Sequence, residues 1–285
     1  MKLLRCGPKG RERPAILDRS GNARDLSAIV KDIDAELLAS DFAALGQVDV
    51  SSLPLVAPGT RIGPPVSFIG KFLCIGLNYR DHAAESNMAI PQEPILFMKA
   101  TSAINGPNDD VVLPPTAKKG DWEVELGIVI GRECRYVSPD AALAHVAGLC
   151  VINDLSEREF QMERGGQWDK GKGCDTFGPI GPYLVTRDEA GDLANLDLWL
   201  DVNGKRMQTG NTRNMIFDVP FLVHYLSQFM SLQPGDVIST GTPAGVGLGM
   251  KPPVWLKEGD EIALGISGLG EQRQKVRRHG RPDAA

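Results

Sequence analysis

The sequence predicts a β-rich mixed α/β fold. Three observations carry this: apolar runs of strand length recur along most of the chain, proline and glycine interrupt them at short intervals, and only one stretch combines a sustained helical period with clear start and stop signals. With 285 residues, 42% of them hydrophobic, the chain can bury one large core and carry a small appendage.

Taken in order, residues 2–5 and 14–17 read as short strands separated by turn chemistry, with a further turn at Ser20-Gly21-Asn22 and a short helical pattern after it. Pro54, Pro58, Gly59, Gly63, Pro64 and Pro65 then mark a connection. The expected division is a small N-terminal domain over residues 1–65 and a main domain over 66–285. Residues 72–77 form an apolar strand candidate, and 78–88 have the polar, alanine-containing character of a short helix. Pro91 and Pro94 introduce the run 95–98, and Pro107, Pro114 and Pro115 punctuate the approach to residue 121, so loops and sheet edges are expected here. A short helix over 141–147, opened by Ser138-Pro139-Asp140, precedes an apolar strand at 148–152. The clearest helix starts at the N-cap Asp218, has Pro220 in its first turn, and shows an apolar stripe of Phe221, Leu222, Tyr225, Leu226 and Phe229. Residues 237–240 and 261–266 read as strands around a glycine-rich loop, with no repeat of fixed period.

A net charge of −5 provides no basic face for nucleic acid, and the basic stretch 273–281 reads as a solvated tail. No stretch approaches the roughly 18 apolar residues of a membrane span, and the first residues lack a signal-peptide core, so a cytoplasmic protein without a membrane partner is expected. Five scattered cysteines without a CxxC pair indicate neither a disulfide framework nor a zinc cluster.

The chemistry concentrates first in residues 121–130, Asp-Trp-Glu-Val-Glu-Leu-Gly-Ile-Val-Ile. On a strand Glu123 and Glu125 point the same way, roughly 6–7 Å apart, and repel. Val124, Leu126, Ile128 and Ile130 form the other, apolar face, so a half-covered strand with a negative second face is expected. Asp154 follows just beyond the next strand. Three carboxylates without clustered Cys or His favour Mg²⁺, with Mn²⁺ or Ca²⁺ also possible, over zinc; a solvated acidic face is the plain alternative. In Asn78-Tyr79-Arg80-Asp81-His82-Ala83-Ala84-Glu85, a helix places His82 and Glu85 at i, i+3, where the carboxylate can orient the imidazole as a general base. A surface ion pair would look the same. Arg158, four residues after Asp154 in a polar, helix-like turn, can hold a substrate carboxylate or fix a ligand. In Gly165-Gly166-Gln167-Trp168-Asp169-Lys170-Gly171-Lys172 either lysine can neutralise an anion, and the glycines fit a moving lid or a close backbone approach. The loop Thr240-Gly241-Thr242-Pro243-Ala244-Gly245 lacks a P-loop or dinucleotide fingerprint but can cradle a small carboxylate.

Seven segments, NYRDHAAE, FMKATSAINGP, DWEVELGIVIG, NDLSEREFQ, WDKGKGCDTFGP, DVISTGTPAGVG and KEGDEIAL, occur in the order seen in the fumarylacetoacetate hydrolase family. The chain resembles that family over roughly residues 66–268. Within it the likeness is closest to bacterial hydrolases of 2,4-diketo-3-deoxy-L-rhamnonate or L-fuconate and to proteins labelled ureidoglycolate lyase. The resemblance implies a β-roll of mixed sheets with a small N-terminal domain and a homodimer. It also implies metal ligands at Glu123, Glu125 and Asp154, catalytic roles for His82, Glu85 and Lys172, and substrate contacts from Arg158, Gln161 and Thr242. Cys174 stands where an aromatic residue is common and Ala100 where proline is common, departures that bear on pocket shape. The expected reaction is hydrolytic C–C cleavage of a 2,4-diketo acid, a sugar acid or other acylpyruvate, to pyruvate and a smaller acid. The expected partner is a small anionic keto acid. An isomerase, decarboxylase or ureidoglycolate lyase on the same scaffold is the first rival, and a non-catalytic keto-acid binding protein the second.

Overall fold

Proline and glycine break this chain every few residues, so its apolar runs pair as short strands instead of extending into helices. In a computed structural model, which describes residues 1–280, the strand-rich mixed fold is what results. The first strands are β1 Lys2–Cys6, β2 Arg13–Leu17, β3 Ala23–Asp25, β4 Ile62–Gly63, β5 Phe72–Gly76 and β6 Ile95–Lys99. After them come β7 Ile104–Asn105, β8 Val111–Leu113, β9 Gly120–Asp121, β10 Val124–Ile130, β11 Val146–Asn153 and β12 Ser156–Glu157. The last six are β13 Gly178–Thr186, β14 Asp197–Val202, β15 Lys205–Asn211, β16 Val237–Ser239, β17 Glu261–Ile266 and β18 Gly270–Arg278. Short α-helices lie between them: α1 Ala35–Ala39, α2 Arg80–Glu85, α3 Pro139–Ala142, α4 Asp169–Lys172 and α5 Val219–Ser227.

The main sheet runs β3-β2-β1-β13-β11-β10-β16-β5-β6, with β4 added beside β1 and β7 beside β13. A second sheet runs β15-β14-β17-β18-β8, and β9 pairs with β12 on its own. Antiparallel pairing dominates, while β16 and β5, next to the edge strand β6, are a parallel pair. The second sheet covers one face of the main sheet, so Val124, Leu126, Ile128 and Ile130 of β10 share a core with Leu198, Leu200, Ile262 and Leu264. On the opposite face, Val129 and Ile152 pack with Leu37, Leu38 and Phe42 from around α1. Residues before 66 are therefore continuous with the main sheet through the pairing of β1 with β13, and they supply one of its covering layers.

Three expectations change here. The strand carrying Glu125 is not half-covered: all seven residues of β10 are buried, because the main sheet is covered on both sides. The stripe on α5 divides, with Val219, Leu222, Val223 and Leu226 inside while Phe229 and the rim of Phe221 face out, since the core takes only one side of so short a helix. The basic stretch from residue 273 is no tail up to Arg278: it belongs to β18, whose buried Gln272, Gln274 and Val276 alternate with outward-facing residues. Arg281 lies outside the described residues. Among them, no helix is long and apolar enough to cross a membrane.

Candidate active site

Strand register brings the acids together. Val124 pairs with Asn153, so the next residues outward, Glu123 and Asp154, are neighbours across the β10–β11 ladder, and the Asp154 amide donates to the Glu123 carbonyl at 2.9 Å. Glu125 stands on the same face as Glu123, two residues along. One ligand oxygen from each of Glu123, Glu125 and Asp154 falls within 4.8 Å of the others, and all three residues are buried.

Their partners are unequal. Lys172, at the end of α4, places its ammonium 2.6 Å from Glu123 Oε2 and 2.7 Å from Asp154 Oδ2. Lys99, at the end of β6, donates to Asp154 Oδ1 at 2.5 Å and to the Leu155 carbonyl at 2.9 Å. Arg158 donates to Glu123 Oε1 at 2.5 Å, to Asp121 Oδ2 at 2.8 Å and to Gln161 Oε1 at 3.0 Å. Glu125 has no lysine or arginine at ion-pair distance among the described residues. Its Oε2 accepts only from the Ser239 hydroxyl at 2.6 Å and the Gly241 amide at 2.8 Å.

These surroundings pull the two glutamates apart. Burial on its own would raise the Glu123 carboxyl, but Lys172 and Arg158 outweigh it and hold the group at about 2. Burial, reinforced by Asp154 and Glu123, pushes Glu125 well above the usual carboxylate range. Burial opposes the charge on Lys172, yet Asp154 and Glu123 overcome it and raise the group. A divalent cation fits this donor set, since it would supply the charge that Glu125 lacks to an all-oxygen cluster of the kind Mg²⁺, Mn²⁺ and Ca²⁺ prefer. Close by, the Tyr79 hydroxyl is buried without a hydrogen-bond partner among the described residues, and burial together with Glu125 raises it.

The second expected pair is also formed. On α2, His82 Nδ1 lies 3.3 Å from Glu85 Oε2. Glu85 is itself held by the Gly245 amide, 3.0 and 3.1 Å from its two oxygens. Both side chains are half-buried, at 13% and 21% exposure, so this is not an open surface ion pair. A cavity of about 480 Å³ joins the two groups, lined by His82, Glu85, Glu123, Glu125, Arg158, Gln161, Lys172 and Thr242. Every metal, catalytic and substrate-contact residue implied by the resemblance, except the deeper Asp154, therefore borders one space.

The local structure departs from expectation in places. Arg158 does not sit on a helix with Asp154: Ser156 and Glu157 form β12 against β9, and a π-helical turn follows at Glu159–Glu163. The Arg158 guanidinium reaches the site and is already committed to Asp121 and Glu123. Of the two lysines only Lys172 turns inward, while the Lys170 ammonium donates to the Arg164 carbonyl at 2.6 Å. Gly171 serves a close approach, because a Cβ there would meet the Glu157 carbonyl oxygen at 2.3 Å. Thr242 borders the cavity, but its hydroxyl donates to the Val124 carbonyl at 2.9 Å and accepts from Gln208 at 2.8 Å.

Four contributors escape sequence reasoning. Lys99 reads as an edge-strand lysine, and edges carry lysine for solubility. Asp121 opens the strand-like run 121–130 with no role assigned to it, yet it is fully buried and accepts from Arg158, from the Gly247 amide at 2.6 Å and from the Leu248 amide at 3.1 Å. Ser239 and Tyr79 read as ordinary strand and helix-flank residues. The Phe-x-Lys segment at 97–99 was the one available signal.

Residues 71–277 match the family description "Fumarylacetoacetate (FAA) hydrolase C-terminal". A Burkholderia cenocepacia (strain HI2424) protein, whose name gives it provisionally as a hydrolase and specifies no substrate, is 60% identical over 97% of this chain and 99% of its own length. The solved structure of a fumarylacetoacetate hydrolase from the psychrophile Exiguobacterium antarcticum superposes with a TM-score of 0.88 at 37% identity, covering 98% of this chain and 100% of that one. A maleylpyruvate hydrolase from Sphingobium sp. SYK-6, solved with manganese(II) and pyruvate, gives 0.81 at 31% identity, covering 98% and 99%. A 2-hydroxyhepta-2,4-diene-1,7-dioate isomerase from Mycobacterium marinum gives 0.77 at 35%, covering 99% and 100%.

Proposed function

The chain belongs to the fumarylacetoacetate hydrolase family, and on that premise we propose that it is a divalent-metal-dependent hydrolase that cleaves the C3–C4 bond of a 2,4-diketo acid, releasing pyruvate and a smaller carboxylic acid. The observation that carries the reading is the pairing of two groups across one cavity. Three convergent carboxylates, one without a cationic partner, face a half-buried His–Glu pair. A cation held by Glu123, Glu125 and Asp154 would polarise the carbonyl of a chelated 2-keto acid head.

The chain's own groups have the following parts. His82 Nδ1 is engaged by Glu85, which leaves Nε2 to take a proton from water. The activated water adds to the C4 carbonyl. The C3–C4 bond then breaks, its electron pair leaves with the pyruvate fragment as an enolate, and protonation at C3 completes pyruvate. Lys172, buried against Glu123 and Asp154, offers positive charge to the enolate oxygen as it forms. Arg158 and Gln161 line the same end of the cavity and orient the anionic head.

The test is pyruvate release from a panel of acylpyruvates and oxaloacetate, and glyoxylate release from ureidoglycolate, by metal-loaded and chelator-treated protein. Metal-dependent release from acylpyruvates supports the reading. Turnover confined to oxaloacetate or ureidoglycolate, or none at all, sinks it. A second reading, isomerisation of a 2-hydroxy-dienoate through the same enolate chemistry without water attack, is favoured by the likeness to the M. marinum isomerase.

A further inference from the structure

The cavity changes character between its floor and its mouth. Its floor is the buried acidic cluster, with Glu123 at 5% and Glu125 at 1% exposure. Outward from Lys172 the lining becomes aromatic: the Lys172 ammonium lies 5.1 Å from the centre of the Phe97 ring, and Phe97 meets Trp168 edge-on at 5.4 Å between centroids. Room for the indole comes from Gly76, where a Cβ would meet a Trp168 ring carbon at 2.6 Å. Opposite and around this pair stand Leu77, Met162, Leu248 and Met250. Met162 and Leu248 remain 55% and 37% exposed, a cost that a bound apolar group would relieve.

Polar chemistry on this side is sparse. Ser86, Asn87 and Lys251 border the cavity, the last two open to solvent, and Thr242 is already bonded within the protein. A hydroxylated chain seated here would leave most of its hydroxyls without partners, which is unfavourable when they are buried. Methionine, leucine and tryptophan instead suit an apolar group, and flexible methionines tolerate variation in its shape.

Resting on the acylpyruvate reading above, we infer that the substrate's acyl tail beyond C4 is hydrophobic, alkyl or aryl, and that the Phe97–Trp168 wall with Leu248 and Met250 selects it against the polyhydroxylated tail of a sugar acid. Trp168 is the specificity-determining residue in this assignment, because it borders the cavity and packs edge-on against Phe97, whose ring lies beside Lys172.

The experiment compares kcat/KM for acetyl-, butanoyl-, hexanoyl- and benzoylpyruvate, a hydroxylated 2,4-diketohexanoate and an acylpyruvate ending in a carboxylate. Beyond acetylpyruvate, kcat/KM should rise about two- to fourfold per buried methylene, and the hydroxylated compound should fall below its alkyl counterpart. Trp168→Ala should lower the hexanoyl-to-acetyl ratio about tenfold, and Trp168→Phe should restore part of it. Preference for the hydroxylated tail, or for the carboxylate-ended tail with loss of that preference in Lys251→Ala, overturns the inference. In a parallel arm, calorimetry follows binding of straight-chain 2-oxo acids of rising length to Mn²⁺-loaded protein. If no acylpyruvate is cleaved, the hydrolase reading fails while the tail compartment is still judged: affinity rising with chain length supports it, and flat affinity refutes it.

Discussion

Two charge clusters of this molecule, one beside the N-terminal residues and one at the cavity floor, are built differently. Where the N-terminal residues meet the loop after β7, Arg5 forks onto Asp32 at 2.7 and 3.0 Å, Arg61 forks onto Asp109 at 2.7 and 2.6 Å, and Arg61 also reaches Glu12 at 2.7 Å. Each carboxylate there has a guanidinium, and burial's upward pull on Glu12 is outweighed by Arg61, Arg5 and nearby backbone amides together, which lower it. At and beneath the cavity floor, Asp121, Glu123 and Asp154 are matched by Arg158, Lys172 and Lys99, and Glu125 is left, among the described residues, with a hydroxyl and an amide. A fully matched cluster ties segments together. A buried cluster with one unmatched acid leaves a place for a charge from outside the chain, as the proposed metal site requires.

The comparison breaks first, and hardest, at Glu125. Glu125→Gln should reduce metal-dependent pyruvate release by at least about a thousandfold while circular dichroism stays that of the parent. A variant retaining a tenth of the parental kcat would make Glu125 another structural acid. His82→Ala should lower kcat by about 10²–10⁴-fold without abolishing metal binding, as expected of a base that acts on water and not on the cation. Loss of Mn²⁺ affinity in that variant would move His82 into the ligand set. Metal itself should raise the thermal midpoint of the chelator-treated protein by an amount that grows with its concentration, an effect the matched cluster cannot produce.

The matched cluster should answer in stability alone. Asp109→Asn removes the forked partner of Arg61 and is expected to cost about 1–2 kcal/mol, the partial exposure of the pair keeping the loss modest. Its kcat/KM should match the parent's. The pH effect is smaller still. Glu12 has a lower pKa folded than unfolded, so its contribution is complete above its ordinary 4.5 and fades as the pH falls below it. Thermal midpoints at pH 6 and pH 3.5 should therefore differ less in Glu12→Gln than in the parent.

Much of the site was legible before the fold. The i, i+2 spacing put Glu123 and Glu125 on one face, the i, i+3 spacing put His82 beside Glu85, and both follow from strand and helix periods alone. Lys99, Asp121 and Tyr79 were hidden because their roles depend on pairings between segments far apart in the chain: β6 reaching Asp154, and β9 closing on β12. The same limit hid the covering of β10, since a period-2 pattern shows which residues share a face but not that a layer from residues 1–65 lies over the second one. On α5 the aromatic residues matched a helical stripe, yet the aliphatic neighbours Val219 and Val223 went inside with Leu222 and Leu226.

Calorimetric titration of Mn²⁺ into chelator-treated protein, parent against Glu125→Gln, addresses the unmatched acid most directly. One site per chain is expected in the parent, lost or weakened at least about a hundredfold in the variant. Equal affinity in the two proteins would contradict it.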